Sequence, residues 1–218
     1  MTKFKICGLR DADNALAAAN AGAAFLGLNF VPGVRRQITK DQAQTIVGRL
    51  RAALGEGVPT LVGLFANQPV DEVNRIVDQC GLELAQLCGD EPREYWGQVR
   101  VPVMRQIKVR DDIPTEAAVE TAAQQIEEVV GSGYTPMLDK YERGHLGGTG
   151  RTFDWRVARE LASRYDLVLA GGLTPDNVAR AIAEVGPQVV DVSSGVETDG
   201  VKDAAKIRRF AEEVRRAG

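Results

Sequence analysis

The sequence predicts an α/β protein built as a single (β/α)8 barrel of the TIM type, with residues 1–218 in one domain. Three observations lead there. Short apolar runs alternate with longer amphipathic ones eight times along the chain. A length of 218 residues suits eight strand–helix units. No linker or shift in composition divides the chain.

In order, the first strand is predicted at Lys3–Cys7, followed by an alanine-rich helix from Asp11 to Asn20 with Asp11 as its cap. Ala24–Phe30 is the second strand. Thr39 opens the next helix, with Ile46, Val47 and Leu50 on its apolar side. Thr60–Phe65 leads to a helix over Asp71–Cys80 whose apolar face holds Val73, Ile76, Val77 and Cys80. Leu82–Leu87 precedes a short, weakly patterned helix over Pro92–Gln98, and Val103–Ile107 precedes a long one over Thr115–Val130. Tyr134–Asp139 pairs with a helix over Asp154–Arg164, Leu167–Ala170 with one over Pro175–Val185, and Val189–Val192 with one over Lys202–Arg216. Each strand is short, apolar and bounded by Gly, Pro, Asn or a charge, as buried parallel strands are. A doubly wound sheet is the rival fold, but it commonly carries G-x-G-x-x-G after its first strand. Here that place reads Cys7-Gly8-Leu9-Arg10.

Composition narrows the function. Hydrophobic residues make up 44% and charged residues 26%, as in a globular protein. A formal net charge of −3 gives no electrostatic reason to expect nucleic acid or an anionic membrane as partner. No uninterrupted apolar stretch reaches membrane-spanning length, and the N-terminus has no signal-peptide pattern. Three cysteines, Cys7, Cys80 and Cys88, point to free thiols in a reducing, cytoplasmic setting. His145 is the only histidine, which rules out a zinc site built on several histidines. It lies in a glycine-rich stretch, and the chain has no nucleophile elbow for a Ser-His-Asp triad. Acid–base chemistry would therefore fall to carboxylates and cysteine.

In such a barrel, chemistry sits at the C-terminal ends of the strands. The polar residues there are Cys7, Asn29, Asn67, Gln86 with Cys88, Gln106 with Lys108, Asp139, Gly171-Gly172, and Ser193-Ser194-Gly195. The last two groups follow strands seven and eight, where glycine-rich loops and helix N-termini can hold a phosphate; tight turns alone would also use such glycines. Cys7 precedes a helix whose N-terminus could lower its pKa, though a buried structural cysteine fits the position as well. Asp139, ending an apolar strand, is a candidate acid of raised pKa, or else a cap or loop ion pair. Arg35 and Arg36 follow strand two and suit a carboxylate, or else are solvated.

Taken together, these segments resemble the phosphoribosylanthranilate isomerase family over the whole chain. The match rests on Lys5-Ile6-Cys7-Gly8, Gly27-Leu28-Asn29-Phe30, Val62-Gly63-Leu64-Phe65 with Asn67, and Gln86-Leu87. It continues through Leu138-Asp139, Gly147-Gly148-Thr149-Gly150, Phe153-Asp154-Trp155, Ala170-Gly171-Gly172-Leu173 with Asn177, Asp191 to Glu197, and Gly200-Val201-Lys202. The resemblance implies a cofactor-free barrel isomerase of tryptophan biosynthesis, monomer or homodimer, acting on a phosphosugar. It implies Asp139 as general acid, Cys7 as general base and Arg36 as partner of the anthranilate carboxylate. Gln86 would touch substrate, and Gly171, Gly172, Ser193, Ser194 and Gly195 would hold its phosphate. The Gly147–Gly150 stretch would close over the site.

Two positions depart from the family pattern. Cys88 stands where the family usually has histidine, and Val34-Arg35 where it often has Ser-Pro. Two other readings remain: a histidine-pathway isomerase, which uses an aspartate where this chain has Cys7, and a silent phosphate-binding barrel, for which Cys88 is the only support.

Overall fold

Strand alternation decides which side chains meet helices and which meet each other. In the computed structural model, which describes residues 1–140 and 152–218, the first strand β1 (Lys3–Cys7) sends Phe4 and Ile6 outward and Lys5 and Cys7 inward. The chain continues through α1 (Ala12–Asn20), β2 (Phe25–Asn29), α2 (Lys40–Leu54), β3 (Thr60–Phe65), α3 (Val70–Cys80), β4 (Leu84–Leu87) and α4 (Arg93–Trp96). It then forms β5 (Val103–Val109), α5 (Thr115–Gly131), β6 (Thr135–Lys140), α6 (Trp155–Ala162), β7 (Val168–Leu169), α7 (Val178–Val185) and β8 (Val189–Val192). A small hairpin of β9 (Glu197–Thr198) and β10 (Val201–Lys202) precedes α8 (Ala204–Ala217).

The eight long-range strands pair in parallel and close a barrel, with β8 returning to β1 in the register Lys5↔Asp191. Two apolar layers result. The larger lies between strands and helices and includes Leu26, Leu61, Phe65, Val190 and Phe210. The smaller fills the barrel interior with Val62, Leu84, Met104, Met137, Val168 and Val189. Toward the C-terminal ends of the strands this filling gives way to buried polar groups: Lys5, Gln86, Gln106, Asp139 and Asp191. Buried polar groups need partners, so this layer must form an internal network.

All eight predicted strands and all eight predicted helices are present; β1, β3 and β8 keep their predicted bounds, and edges elsewhere move by a residue or more. Three differences have local causes. Lys202 does not begin the last helix; it lies in the hairpin, and Asp203 caps α8 by accepting from the N–H groups of Ala205 and Lys206. Pro175 does not begin α7, because Asn177 first ties a turn, accepting from Thr174 N–H and donating to Gly172 O. The weak pattern over Pro92–Gln98 yields only the four residues Arg93–Trp96.

Thr39 opens helix α2 through a capping box: Gln42 N–H donates to Thr39 Oγ1 at 3.2 Å, and Gln42 Oε1 accepts from Thr39 N–H at 2.8 Å. Thr39→Ala is expected to lower stability by about 1 kcal/mol with kcat unchanged, as read from urea unfolding and steady-state kinetics.

Candidate active site

The site begins with a fully buried lysine. Lys5 and Cys7 lie two apart on β1, so both point into the barrel. Lys5 is fully buried, and its Nζ donates to Asp191 Oδ1 and to Gln86 Oε1, each at 2.8 Å. Burial favours the neutral amine, but the charges of Asp191 and Cys7 outweigh it, and Lys5 stays an ammonium with its pKa raised.

Cys7 is buried at the end of the same strand. Its pKa is raised, not lowered as its place before a helix suggested, because burial is the largest effect. The reason is geometric. Helix α1 starts only at Ala12, after the Asp11 cap, while the N–H groups of Gly8 and Leu9 both turn to Gly27 O. The groups that favour the thiolate are Lys5 and Lys202.

Asp139 ends the inner face of β6 and is also buried. Burial pushes its carboxyl up to about 6, against hydrogen bonds that favour the charge. Those come from Lys140 N–H to Oδ1 at 2.8 Å and from Gln106 Nε2 to Oδ2 at 2.6 Å. The other end of the Gln106 amide, Oε1, is buried without a partner. Asp191 raises both Asp139 and Cys7. The acid and the thiol thus face one buried ion pair.

The glycine loops lie beside this centre. Gly171 and Gly172 have φ of +87° and +64°, which L side chains rarely adopt. A Cβ on Gly171 would sit 3.1 Å from Asp139 Oδ1, so glycine lets the loop after β7 pass against the acid. Gly195 packs directly on the neighbouring loop, where a Cβ would overlap Leu173 O. Ser193 Oγ donates to Cys7 O at 3.0 Å, joining the loop after β8 to the end of β1. Among the described residues, the N–H groups of Gly171, Gly172, Ser194 and Gly195 have no acceptor. Four donors therefore remain for an anion at the mouth.

The two arginines separate clearly. The Arg36 side chain is 12% exposed and that of Arg35 54%. Arg36 lies across Gly8, where a Cβ would come within 2.5 Å of its Cδ. It therefore sits next to Cys7 in the chain fold. Gln86, expected to touch substrate, has both ends of its amide engaged internally: Oε1 by Lys5 and Nε2 by Cys88 Sγ at 3.4 Å. The Cys88 thiol is pushed up to about 12 by burial and stays neutral. Asn29 ties its own loop, accepting from Val31 N–H, and Asn67 ties its loop to the one after β4, accepting from Asp90 N–H. His145 and the Gly147–Gly150 stretch lie outside the described residues.

Sequence reasoning passed over Lys5 and Asp191 as site residues, although the pattern carried a signal. A charge at an inward position of a buried strand must find a counter-charge, and Asp191 lies within Val-Val-Asp-Val. Glu197, which binds Arg36 across 161 residues of chain, carried no such signal.

The family profile described as N-(5'-phosphoribosyl)anthranilate (PRA) isomerase matches residues 4–213. A relative of that name from Roseiflexus castenholzii is 46% identical over 217 residues, covering 98% of each chain. The phosphoribosyl anthranilate isomerase structure from Thermotoga maritima superposes with a TM-score of 0.83 at 32% identity, covering 99% of each chain. A further isomerase structure of this kind, in complex with reduced 1-(o-carboxyphenylamino)-1-deoxyribulose 5-phosphate, gives 0.80 at 30% identity and 99% of each chain. With its closed barrel and the matched residues spanning nearly its full length, this chain belongs to the N-(5'-phosphoribosyl)anthranilate isomerase family.

Proposed function

We propose that the chain converts N-(5'-phosphoribosyl)anthranilate to 1-(2-carboxyphenylamino)-1-deoxyribulose 5-phosphate, with Asp139 as general acid and Cys7 as general base. The observation that carries the reading is the pairing of a carboxyl raised to about 6 with a buried thiol, both facing the Lys5–Asp191 ion pair inside one barrel mouth.

Protonated Asp139 gives its proton to the ring oxygen of the ribose as the C1–O bond breaks. The electron pair of the anthranilate nitrogen forms the C=N bond, leaving an open-chain iminium. The iminium makes the C2–H acidic, and the Cys7 thiolate takes that proton. The electrons of the broken C–H bond form an enamine that tautomerises to the ketone. Lys5 favours the thiolate form of Cys7, and Gln86 holds Lys5 in place from the far side. The free N–H groups of Gly171, Gly172, Ser194 and Gly195, with Ser193, hold the phosphate, and Arg36 takes the anthranilate carboxylate.

The test is the fluorescence decay of freshly made phosphoribosylanthranilate. The protein is expected to consume it at rates ordinary for a biosynthetic enzyme. Binding of phosphate analogues without turnover would replace this reading with that of a silent phosphate-binding barrel.

A further inference from the structure

Glu197 has no part in the proton transfers, yet four cationic side chains converge on its residue. Arg36 donates to its carboxylate through Nε to Oε1 at 2.7 Å and through Nη2 to Oε2 at 2.9 Å. Lys202 Nζ donates to Oε1 at 2.8 Å, and Arg35 Nη2 to Oε2 at 2.7 Å. Lys206 Nζ adds a bond to the backbone oxygen at 2.7 Å. The Glu197 side chain is 5% exposed. Burial opposes its charge, but the bonds from Arg36 and Lys202 prevail and hold its carboxyl at about 2.

A guanidinium can engage a carboxylate along its Nε–Nη2 edge or across its Nη1–Nη2 end. Glu197 occupies the first. Among the described residues, Nη1 has no partner, so the second edge stays available. Charge balance agrees: Arg35, Arg36 and Lys202 face one carboxylate side chain, which leaves positive charge for a further anion. Lys202 also donates to Ser193 O at 2.8 Å, linking this cluster to the loop assigned to the phosphate.

We propose that Glu197 is a positioning residue that grips Arg36 by one edge so that the other faces the substrate, and thereby sets the preference for an arylamine bearing an ortho carboxylate over one without it. The inference rests on the assignment of Arg36 made above.

The experiment compares kcat/KM for the phosphoribosyl adducts of anthranilate and of aniline, which lacks the carboxylate. Wild type, Glu197→Gln, Arg36→Leu and the double variant are measured side by side. Wild type is expected to prefer the anthranilate adduct. Glu197→Gln should reduce that preference by about tenfold or more, chiefly through KM, with the aniline adduct little changed. The double variant should lose no more preference than Arg36→Leu alone. Equal losses on both adducts would make Glu197 a purely structural residue and overturn the proposal, as would an unchanged preference. If Arg36→Leu itself kept the preference, the assignment of Arg36 would fail independently. Should Glu197→Gln not fold, Glu197→Asp carries the test. It keeps the charge but draws the carboxylate back from Arg36 by one methylene, and the preference should fall in the same direction.

Discussion

Cys7→Ser is expected to lower kcat by about 10²–10⁴-fold, the usual contribution of a positioned general base. More decisive is what happens to the pH profile of the residual activity. In the proposed mechanism the reactive form pairs a protonated Asp139 with a Cys7 thiolate. Asp139 titrates at about 6, while burial lifts Cys7 above its ordinary value of 9.0. Between these values most molecules hold the opposite arrangement, with the carboxyl charged and the thiol neutral. As pH rises through that interval, the share of protonated Asp139 falls tenfold per unit while the share of thiolate rises tenfold per unit. The product is constant. Wild-type kcat/KM should therefore be flat above about pH 6 and decline only when the thiol has fully ionised. Serine cannot supply the rising factor, so the residual activity of Cys7→Ser should fall with increasing pH from about 6 upward. A variant that kept the flat wild-type profile would show that Cys7 is not the base.

The barrel was readable in the sequence because its signals are local and repeated. Eight apolar runs between amphipathic segments need no long-range information to be counted, and strand ends mark the mouth wherever the helices begin. What the reading missed was set by side-chain hydrogen bonds and burial, which the apolar pattern does not record. Pro175 looks like the first residue of a helix, but the side chain of Asn177 spends itself on a turn instead. Lys202 fits the apolar–polar rhythm of the last helix, yet its ammonium is drawn back to Ser193 and Glu197, which the hairpin makes possible. The electrostatics of Cys7 were misjudged for a related reason. The sequence shows a helix four residues on, but not the fully buried lysine on the same strand face or the loss of water around the thiol. The placement of Asp139 at the end of an apolar strand did foretell its raised pKa, because burial is the largest cause of the shift, with the charge of Asp191 adding to it.

Asp139→Asn should separate what this residue does for catalysis from what it does to stability, and the two effects have opposite signs. The rate should fall by about 10²–10⁴-fold. With the acid gone, only the thiolate share governs the residual activity, which should climb with pH from 6 to 9 where wild type is flat. For stability, the folded-state pKa of about 6 lies above the ordinary 3.8. The folded protein thus binds this proton more tightly than the unfolded chain. The stabilisation is complete below about pH 4 and is lost as pH rises through 6. Above that, the native state carries a buried carboxylate, which is unfavourable by on the order of 3 kcal/mol relative to the protonated form. Asparagine removes the charge and keeps the shape. Its oxygen can still accept from Lys140 N–H, and its amide can donate to Gln106 Oε1 once the Gln106 amide turns over, since in the wild-type protein Nε2 faces the carboxylate and Oε1 is buried without a partner. Urea unfolding should therefore find Asp139→Asn close to wild type at pH 4 and more stable than wild type at pH 8. Equal stability at both pH values would mean that the carboxyl titrates near its ordinary value and is already charged at neutral pH. An acid of that kind could not protonate the ribose oxygen, and the role would have to pass to another group.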